Sequence, residues 1–347
     1  KILGFILGTA IILLFLFFCI FFNEIRSLIS LKKVDPFPMY HMTYYGDYEF
    51  DDFLKEGAKN DQDIERYITK RLLKGIPINL GVIGDGCTAF VVKTKDNETL
   101  FCRNFDFTYT PSLQVKTKPK HGYASISTVN LTYAGYSKDN LPKELSMNSF
   151  LTLAAPYLPF DGINEKGLAI ALLAVPEVQA PYSDNKVTLN TTTIIRLVLD
   201  KAKNIEEAVN LIKQYNVYFS GGVECHYLIA DATGKSVLVE FWDNDVKTVY
   251  SNTEYQIASN YIQYNDVNIG EGYTEFDRYN RVMNEIERNS KTVSINTALE
   301  LLSKVGVYDE NGNDKLQWSV VYNLNSLNGK LFINRDVENM YLFSLAK

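Results

Sequence analysis

The chain has 347 residues, 46% of them apolar and 22% charged, and a net charge of −6. This is globular composition, which excludes a chain-wide disordered or collagen-like reading. A weakly acidic chain also has no general attraction for nucleic acid. The three histidines, His41, His121 and His226, do not stand at metal-ligand spacing. The four cysteines, Cys19, Cys87, Cys102 and Cys225, form no CxxC pair. Neither a zinc site nor a disulfide scaffold is predicted, and no metal or organic cofactor is implied.

In chain order, residues 2–22 carry no charge. As a helix they would span ~32 Å, enough for a hydrocarbon core of ~30 Å. Residues 1–23 are therefore predicted to be one transmembrane anchor. Short N-terminal anchors mostly export the chain behind them, which places the remainder on the extracytoplasmic side. The positive-inside rule read literally says the reverse, because Arg26, Lys32 and Lys33 lie after the span and only Lys1 precedes it. Residues 24–86 read as a connector and pro-segment. Pro36 and Pro38 mark its first part. Ile64, Tyr67, Ile68, Arg71 and Leu72 fall at helical spacing in its second part, with Asp61 or Asp63 as the cap.

From Thr88 the pattern changes. Residues 88–94 and 99–105 are β-type runs about a Lys-Asp-Asn-Glu turn, a hairpin signature. Residues 226–241 form a second hairpin, and 318–324, 330–334 and 340–345 are later strands. Helices are predicted over 276–288, over 294–304, and after Asn204, which caps a run with Ile205, Ala208, Val209 and Ile212 on one face. Strand groups alternating with helices, with hairpins inside the groups, predict an α+β domain over 87–347. Its antiparallel sheets would be covered by helices.

Cys87 is the informative residue. It comes directly after Gly84-Asp85-Gly86 and opens a strand. With a two-residue turn at Asp96-Asn97, Cys87 would stand opposite Asp106, with Arg103 and Asn104 nearby. A guanidinium beside a thiol favours the thiolate. Strict alternation puts Arg103 and Asp106 on opposite faces, so a bend or bulge between them is predicted. A cysteine nucleophile also needs a base. His226 and His121 lack a supporting pattern. The other candidate is the α-amine of Cys87 itself, freed by cleavage of Gly86–Cys87, with a reference pKa of ~7.7–8.0. Gly86 lets the chain adopt the tight geometry that such an attack needs.

Cys87-Thr88-Ala89, with Leu100-Phe101-Cys102-Arg103-Asn104-Phe105-Asp106 after it, resembles the opening of the linear amide C–N hydrolases. That N-terminal-nucleophile group contains choloylglycine hydrolases, penicillin V acylases, acid ceramidase-like amidases and acyl-CoA:6-aminopenicillanate acyltransferase relatives. Asp161-Gly162-Ile163-Asn164-Glu165-Lys166-Gly167-Leu168 is similar to the family's DGxNEKGL segment, Ser259-Asn260 to its Ser/Thr-Asn site and Asp277-Arg278 to its late arginine site. The resemblance covers roughly 87–347. It implies a four-layer αββα sandwich and self-cleavage before Cys87. It further implies Cys87 as nucleophile and, through its amine, base; Asp106 holding that amine; Arg103 and Arg278 stabilising the thiolate; and Asn260 donating to the oxyanion. Cys102 replaces the family's usual Gly. Bile-salt hydrolases carry Asn where Ala174 aligns, so a second oxyanion donor would be a backbone N–H such as that of Ala174, with Asn164 as a further candidate. Cys225 and His226 are read as structural.

The predicted activity is a membrane-anchored amidase acting on a small-molecule N-acyl amide through an acyl-Cys87 intermediate. An acyltransferase using the same site is the alternative. A non-catalytic anchored binding protein is the alternative from another class. Homo-oligomerisation is left open.

Overall fold

The structure, a computed structural model, describes residues 15–81 apart from 17, and 86–144, 146–267 and 273–346. Two sheets stack face to face, with strands numbered in chain order. The larger has nine, in the spatial order β1 (Lys32–Asp35), β2 (Met39–Thr43), β5 (Ser112–Thr117), β6 (Ser125–Asn130), β7 (Pro159–Asn164), β8 (Ala169–Ala174), β11 (Cys225–Ala230), β12 (Ser236–Trp242) and β13 (Asp245–Tyr250). The smaller has six, in the order β14 (Gln256–Ala258), β3 (Gly86–Lys93), β4 (Thr99–Asp106), β15 (Leu316–Asn323), β16 (Asn328–Ile333) and β17 (Tyr341–Ser344). The short strands β9 (Thr188–Asn190) and β10 (Asn216–Tyr218) pair separately. Within the two large sheets every described pair is antiparallel except β2 with β5.

Alternation along β3 and β4 builds two cores. Cys87, Ala89, Val91, Phe101 and Phe105 join the cluster between the sheets. Phe90, Val92, Leu100 and Cys102 join the cluster beneath helices α6 (Tyr273–Arg288) and α7 (Ile295–Val305). The outer face of the larger sheet is covered by α4 (Thr191–Lys201), which packs on β7 and β8, with α5 (Ile205–Ile212) beside it. The layers run helix, sheet, sheet, helix. Sheet-on-sheet stacking requires such two-sided burial, because each sheet hides one face against its partner and the other beneath helices.

The pattern of elements agrees with the sequence in most places. Asn204 caps α5 by accepting the Glu207 N–H, and α6 and α7 lie where periodicity puts them. Asn60, not Asp61 or Asp63, caps α3 (Asp61–Arg71), its side chain accepting the Asp63 N–H. Helix α4 has no counterpart among the predicted elements. Its Thr-Thr-Thr-Ile-Ile run has strand-type propensity, but an Asn190–Thr193 capping box starts it and burial of both flanks sustains it. Upstream, residues 22–81 contribute α1 (Phe22–Ser30), β1, β2, α2 (Phe50–Glu56) and α3. Strand β2 is thus built into the larger sheet. Tyr48 donates to the buried Asp200 carboxylate at 2.8 Å, and Tyr157 donates to the Tyr48 carbonyl at 2.8 Å.

The β3–β4 register differs from the predicted one. Cys87 stands opposite Phe105, and Gly86 opposite Asp106. The hairpin has a three-residue loop rather than a two-residue turn. Thr94 N–H donates to the Glu98 carbonyl, Asn97 N–H to the Thr94 carbonyl, and Asn97 takes φ +62°. A type I turn closed by a left-handed residue shifts pairing by one position. The irregularity expected between Arg103 and Asp106 falls on the partner strand instead, at Gln317 of β15.

Most of the predicted anchor lies outside the described residues. Among the described residues no helix is long and apolar enough to cross a membrane. Phe15, Leu16, Phe18 and Ile20 are exposed.

Candidate active site

Cys87, Arg103, Asp106, Asn260 and Arg278 converge where β3, β4, the segment after β14 and the start of α6 meet. Cys87 and Arg103 lie on the inter-sheet face. The Arg103 guanidinium donates to Cys87 Sγ at 3.3 Å, to the Leu172 carbonyl at 3.0 Å and to Asp161 Oδ2 at 2.8 Å. Asp161 also accepts from Trp318 Nε1 at 3.0 Å and from the Tyr322 hydroxyl at 2.5 Å. Every member of this network is fully buried. Arg103 therefore pairs with Asp161, across the gap between the sheets, and not with Asp106. Phe105 and Trp318 stack at 4.2 Å against the guanidinium's flank. A buried cation so enclosed is tolerable because a carboxylate neutralises it and a carbonyl accepts from it, which leaves its Nε as the buried nitrogen without an acceptor.

Arg278 reaches the same residue from the helical side. It donates to the Cys87 carbonyl and Thr88 Oγ1, both at 3.0 Å, and to Asn260 Oδ1 at 2.8 Å. The Cys87 N–H donates to that same Asn260 oxygen at 3.0 Å. The Asn260 amide nitrogen donates to the Ala174 carbonyl at 2.7 Å. Asp106 stands opposite Gly86, accepts the Val307 N–H at 3.0 Å through Oδ1, and lies 3.6 Å from Arg278 through Oδ2. That second oxygen is buried and has no hydrogen-bond donor. Burial raises the Asp106 pKa above the ordinary carboxylate range, and Arg278 and the Val307 N–H pull it back.

Cys87 is 1% exposed. Burial pushes its thiol up to about 11, while Arg103, a backbone hydrogen bond from Ala174 and Arg278 draw it down. In the unbroken chain the sulfur is therefore a thiol at neutral pH. A thiol is neutral when protonated, so a raised folded pKa contributes stability that is whole below the unfolded value of 9.0 and is lost as pH climbs toward 11. Chemical denaturation of the unbroken chain should accordingly show stability falling between pH 9 and 11. Cys87→Ala should lessen that fall without abolishing it, because burial pushes up the Cys102 and Cys225 thiols as well. An identical profile in both chains would contradict the assignment.

Gly86 has a steric role that its position explains. A Cβ there would stand 2.8 Å from Asp106 Cβ and 3.2 Å from the Asp106 carbonyl oxygen. Gly86→Ala must displace Asp106 or the strand. Misplacement by about 1 Å at a reacting centre costs on the order of 10²-fold. Any break before residue 87, monitored by intact mass over time, should slow by that order in the variant. An unchanged rate would show that the close approach is irrelevant.

Ala174 lies where its backbone meets both Cys87 Sγ and Asn260. Asn164 does not join the cluster. Its amide nitrogen donates to the Leu199 and Ala202 carbonyls, at 3.0 and 2.8 Å, and its oxygen accepts the Lys166 and Leu168 N–H groups. It closes the β7–β8 turn and ties it to the end of α4. Cys102 points to the helical side, so the bulk it adds in place of Gly falls away from Cys87. Asp161, Trp318 and Tyr322 are not among the predicted site residues. The available signal for Asp161 is its place at the head of the Asp-Gly-Ile-Asn segment, but nothing in the linear pattern pairs it with Arg103.

A family model described as linear amide C–N hydrolases, choloylglycine hydrolase family, matches residues 87–300. A bile salt hydrolase/transferase of Clostridium perfringens is 30% identical over 165 residues, 44% of this chain and 47% of that protein. A penicillin V acylase of Pectobacterium atrosepticum is 28% identical over 111 residues, 29% of this chain and 29% of that protein. The match thus spans about half the length of the clostridial relative and less of the acylase. Among solved structures, a mutant conjugated bile acid hydrolase from Clostridium perfringens superposes with a TM-score of 0.55 at 16% identity, covering 75% of this chain and 92% of that one. Penicillin V acylase from Agrobacterium tumefaciens gives 0.55 at 17%, covering 75% and 87%. At these identities the likeness is one of fold.

Proposed function

The chain belongs to the choloylglycine hydrolase family of linear amide C–N hydrolases, and on that premise we propose that it is a cysteine amidase that cleaves itself before Cys87. The observation that carries this reading is the convergence of three polar side chains on one residue: Arg103 on its sulfur, Arg278 on its carbonyl and Asn260 on its N–H. In self-cleavage, Cys87 Sγ bonds to the Gly86 carbonyl carbon, the Gly86–Cys87 C–N bond breaks, and the thiol proton passes to the departing nitrogen. Water then hydrolyses the thioester, leaving a Gly86 carboxylate and a free Cys87 amine. The orphaned Asp106 oxygen beside Gly86 supplies an acceptor for that amine. Breaking this bond lets the new Gly86 end move off the sulfur, while the upstream segment stays held through β2 in the larger sheet.

With an N-acyl amide the cycle repeats between molecules. The sulfur takes the acyl group, the amine leaves with a proton, and water returns the free thiol. The α-amine, with a reference pKa near neutrality, carries that proton. Negative charge on the tetrahedral oxygen calls for neutral donors close to fixed cations, which Asn260, the Ala174 N–H and the two arginines can provide. Asn260 must first release the Ala174 carbonyl. We further propose a lipid-like N-acyl amide as substrate and a membrane tether at the N-terminus. The uncharged run 2–22 and the exposed apolar side chains of Phe15, Leu16, Phe18 and Ile20 support this. An extracytoplasmic catalytic part goes with that proposal.

The test is mass spectrometry of the purified protein before and after incubation with a panel of N-acyl amides. A break before Cys87 and an acyl adduct on the new N-terminal residue are expected. An unbroken protein with full activity would reject the mechanism. A second reading, transfer of the acyl group to an amine, is favoured by the clostridial relative being a hydrolase/transferase. Product analysis with and without an added amine separates water from amine as acceptor.

A further inference from the structure

His226 and Glu240 lie outside the cluster around Cys87, yet they touch the segment that delivers Asn260. They stand one step along from the register pair Tyr227–Val239 on β11 and β12, which makes them cross-strand neighbours on one face. Both side chains are fully buried. His226 Nδ1 lies 2.9 Å from Glu240 Oε1, and Nε2 lies 2.9 Å from the Ser259 carbonyl oxygen. Glu240 also accepts the Gln263 N–H at 3.0 Å and the Tyr264 N–H at 2.8 Å. These contacts grip residues 259–264, the stretch after β14 that carries Asn260, from the larger sheet.

A backbone carbonyl only accepts, so His226 Nε2 carries a hydrogen toward Ser259. Nδ1 faces the Glu240 carboxyl group, which also takes the two backbone N–H groups. The ring is sealed between a carbonyl and a carboxyl group. Apolar side chains of similar size would fill the same space without burying polar atoms. What such groups could not do is hold a carbonyl and two amides at set positions.

We infer that His226 and Glu240 are positioning residues, which lock the 259–264 segment so that the Asn260 amide meets Cys87 and Arg278. The inference rests on the amidase reading for its consequence in rate, but not for its geometry. Asn260 is the residue through which the pair acts. The hydrogen bonds of His226 and Glu240 go to each other and to residues 259, 263 and 264, not to the sulfur.

Two measurements test it. In the unbroken Cys87→Ala chain, backbone hydrogen exchange over 259–264 should quicken by about tenfold or more on His226→Phe. His226→Gln, which keeps a donor toward Ser259, should restore most of the protection. In the chain that retains Cys87, His226→Phe and Glu240→Gln should lower kcat by ~10–10² with KM nearly unchanged. In an Asn260→Ala background the same changes should cost almost nothing more, because the pair acts only through that side chain. Unaltered exchange in His226→Phe, or equal losses of kcat with and without Asn260, would overturn the inference. If the Phe variant does not fold, Glu240→Gln carries both readouts. Should the wild type neither break nor turn over amides, the amidase reading falls while the exchange experiment still decides the positioning role.

Discussion

Cys87→Ala is expected to yield a folded chain that stays in one piece and hydrolyses no amide. The reasoning is that one residue supplies both reactive atoms. Without sulfur there is no attack on the Gly86 carbonyl. Without that attack the Gly86–Cys87 peptide persists and no α-amine forms. Nucleophile and base are lost together, and removing the nucleophile of a unit that acts together costs on the order of 10⁶-fold. Folding should survive. Cys87 is a small side chain in a large inter-sheet core, and exchange of a thiol for a hydrogen leaves only a small void. Cys87→Ser keeps the shape but offers a far weaker nucleophile at neutral pH, so self-cleavage and turnover should slow together. Intact mass and an amide-hydrolysis assay on both variants decide the matter. A Cys87→Ala protein that still breaks before residue 87 or still turns over substrate would end the account.

Arg103→Met is expected to damage the fold as well as the chemistry. The guanidinium neutralises Asp161, which Trp318 and Tyr322 also contact, inside a fully buried space between the sheets. A thioether fills much of the volume but strands the carboxylate. Breaking a buried pair by removing one partner costs ~3–5 kcal/mol. The denaturation midpoint should fall accordingly, with the slope unchanged. Self-cleavage should also fail, because the cation nearest the sulfur is gone. Pairing the change with Asp161→Asn tests the cause. If the stranded charge is responsible, the double variant should recover much of the stability while remaining inactive, and the pair should show a large coupling energy. Two independent, additive losses would contradict the network.

The site's members are readable from the chain because short patterns bring them in order: Cys87-Thr88, Arg103 and Asp106 at fixed offsets, then Asn260 and Arg278. Their pairings are not. The one-residue shift of the β3–β4 register hinges on Asn97 adopting φ +62°, and composition alone does not choose between a two- and a three-residue loop. Helix α4 escapes a linear reading for a similar reason. Its threonines and isoleucines favour strands locally, and only burial between β7, β8 and the upstream segment tips them to helix.

By itself the sequence determined the family, the alternation of strand groups with helices, and which residue types meet at the start of β3. Tertiary structure alone decided that Arg103 answers to Asp161 rather than Asp106, that Arg278 lies against the carbonyl of Cys87, and that Asn164 closes a turn away from the sulfur. The reason is the stacking of two sheets. Alternation sends neighbours in sequence to opposite faces, and the gap between the sheets then joins side chains that lie 58 positions apart along the chain.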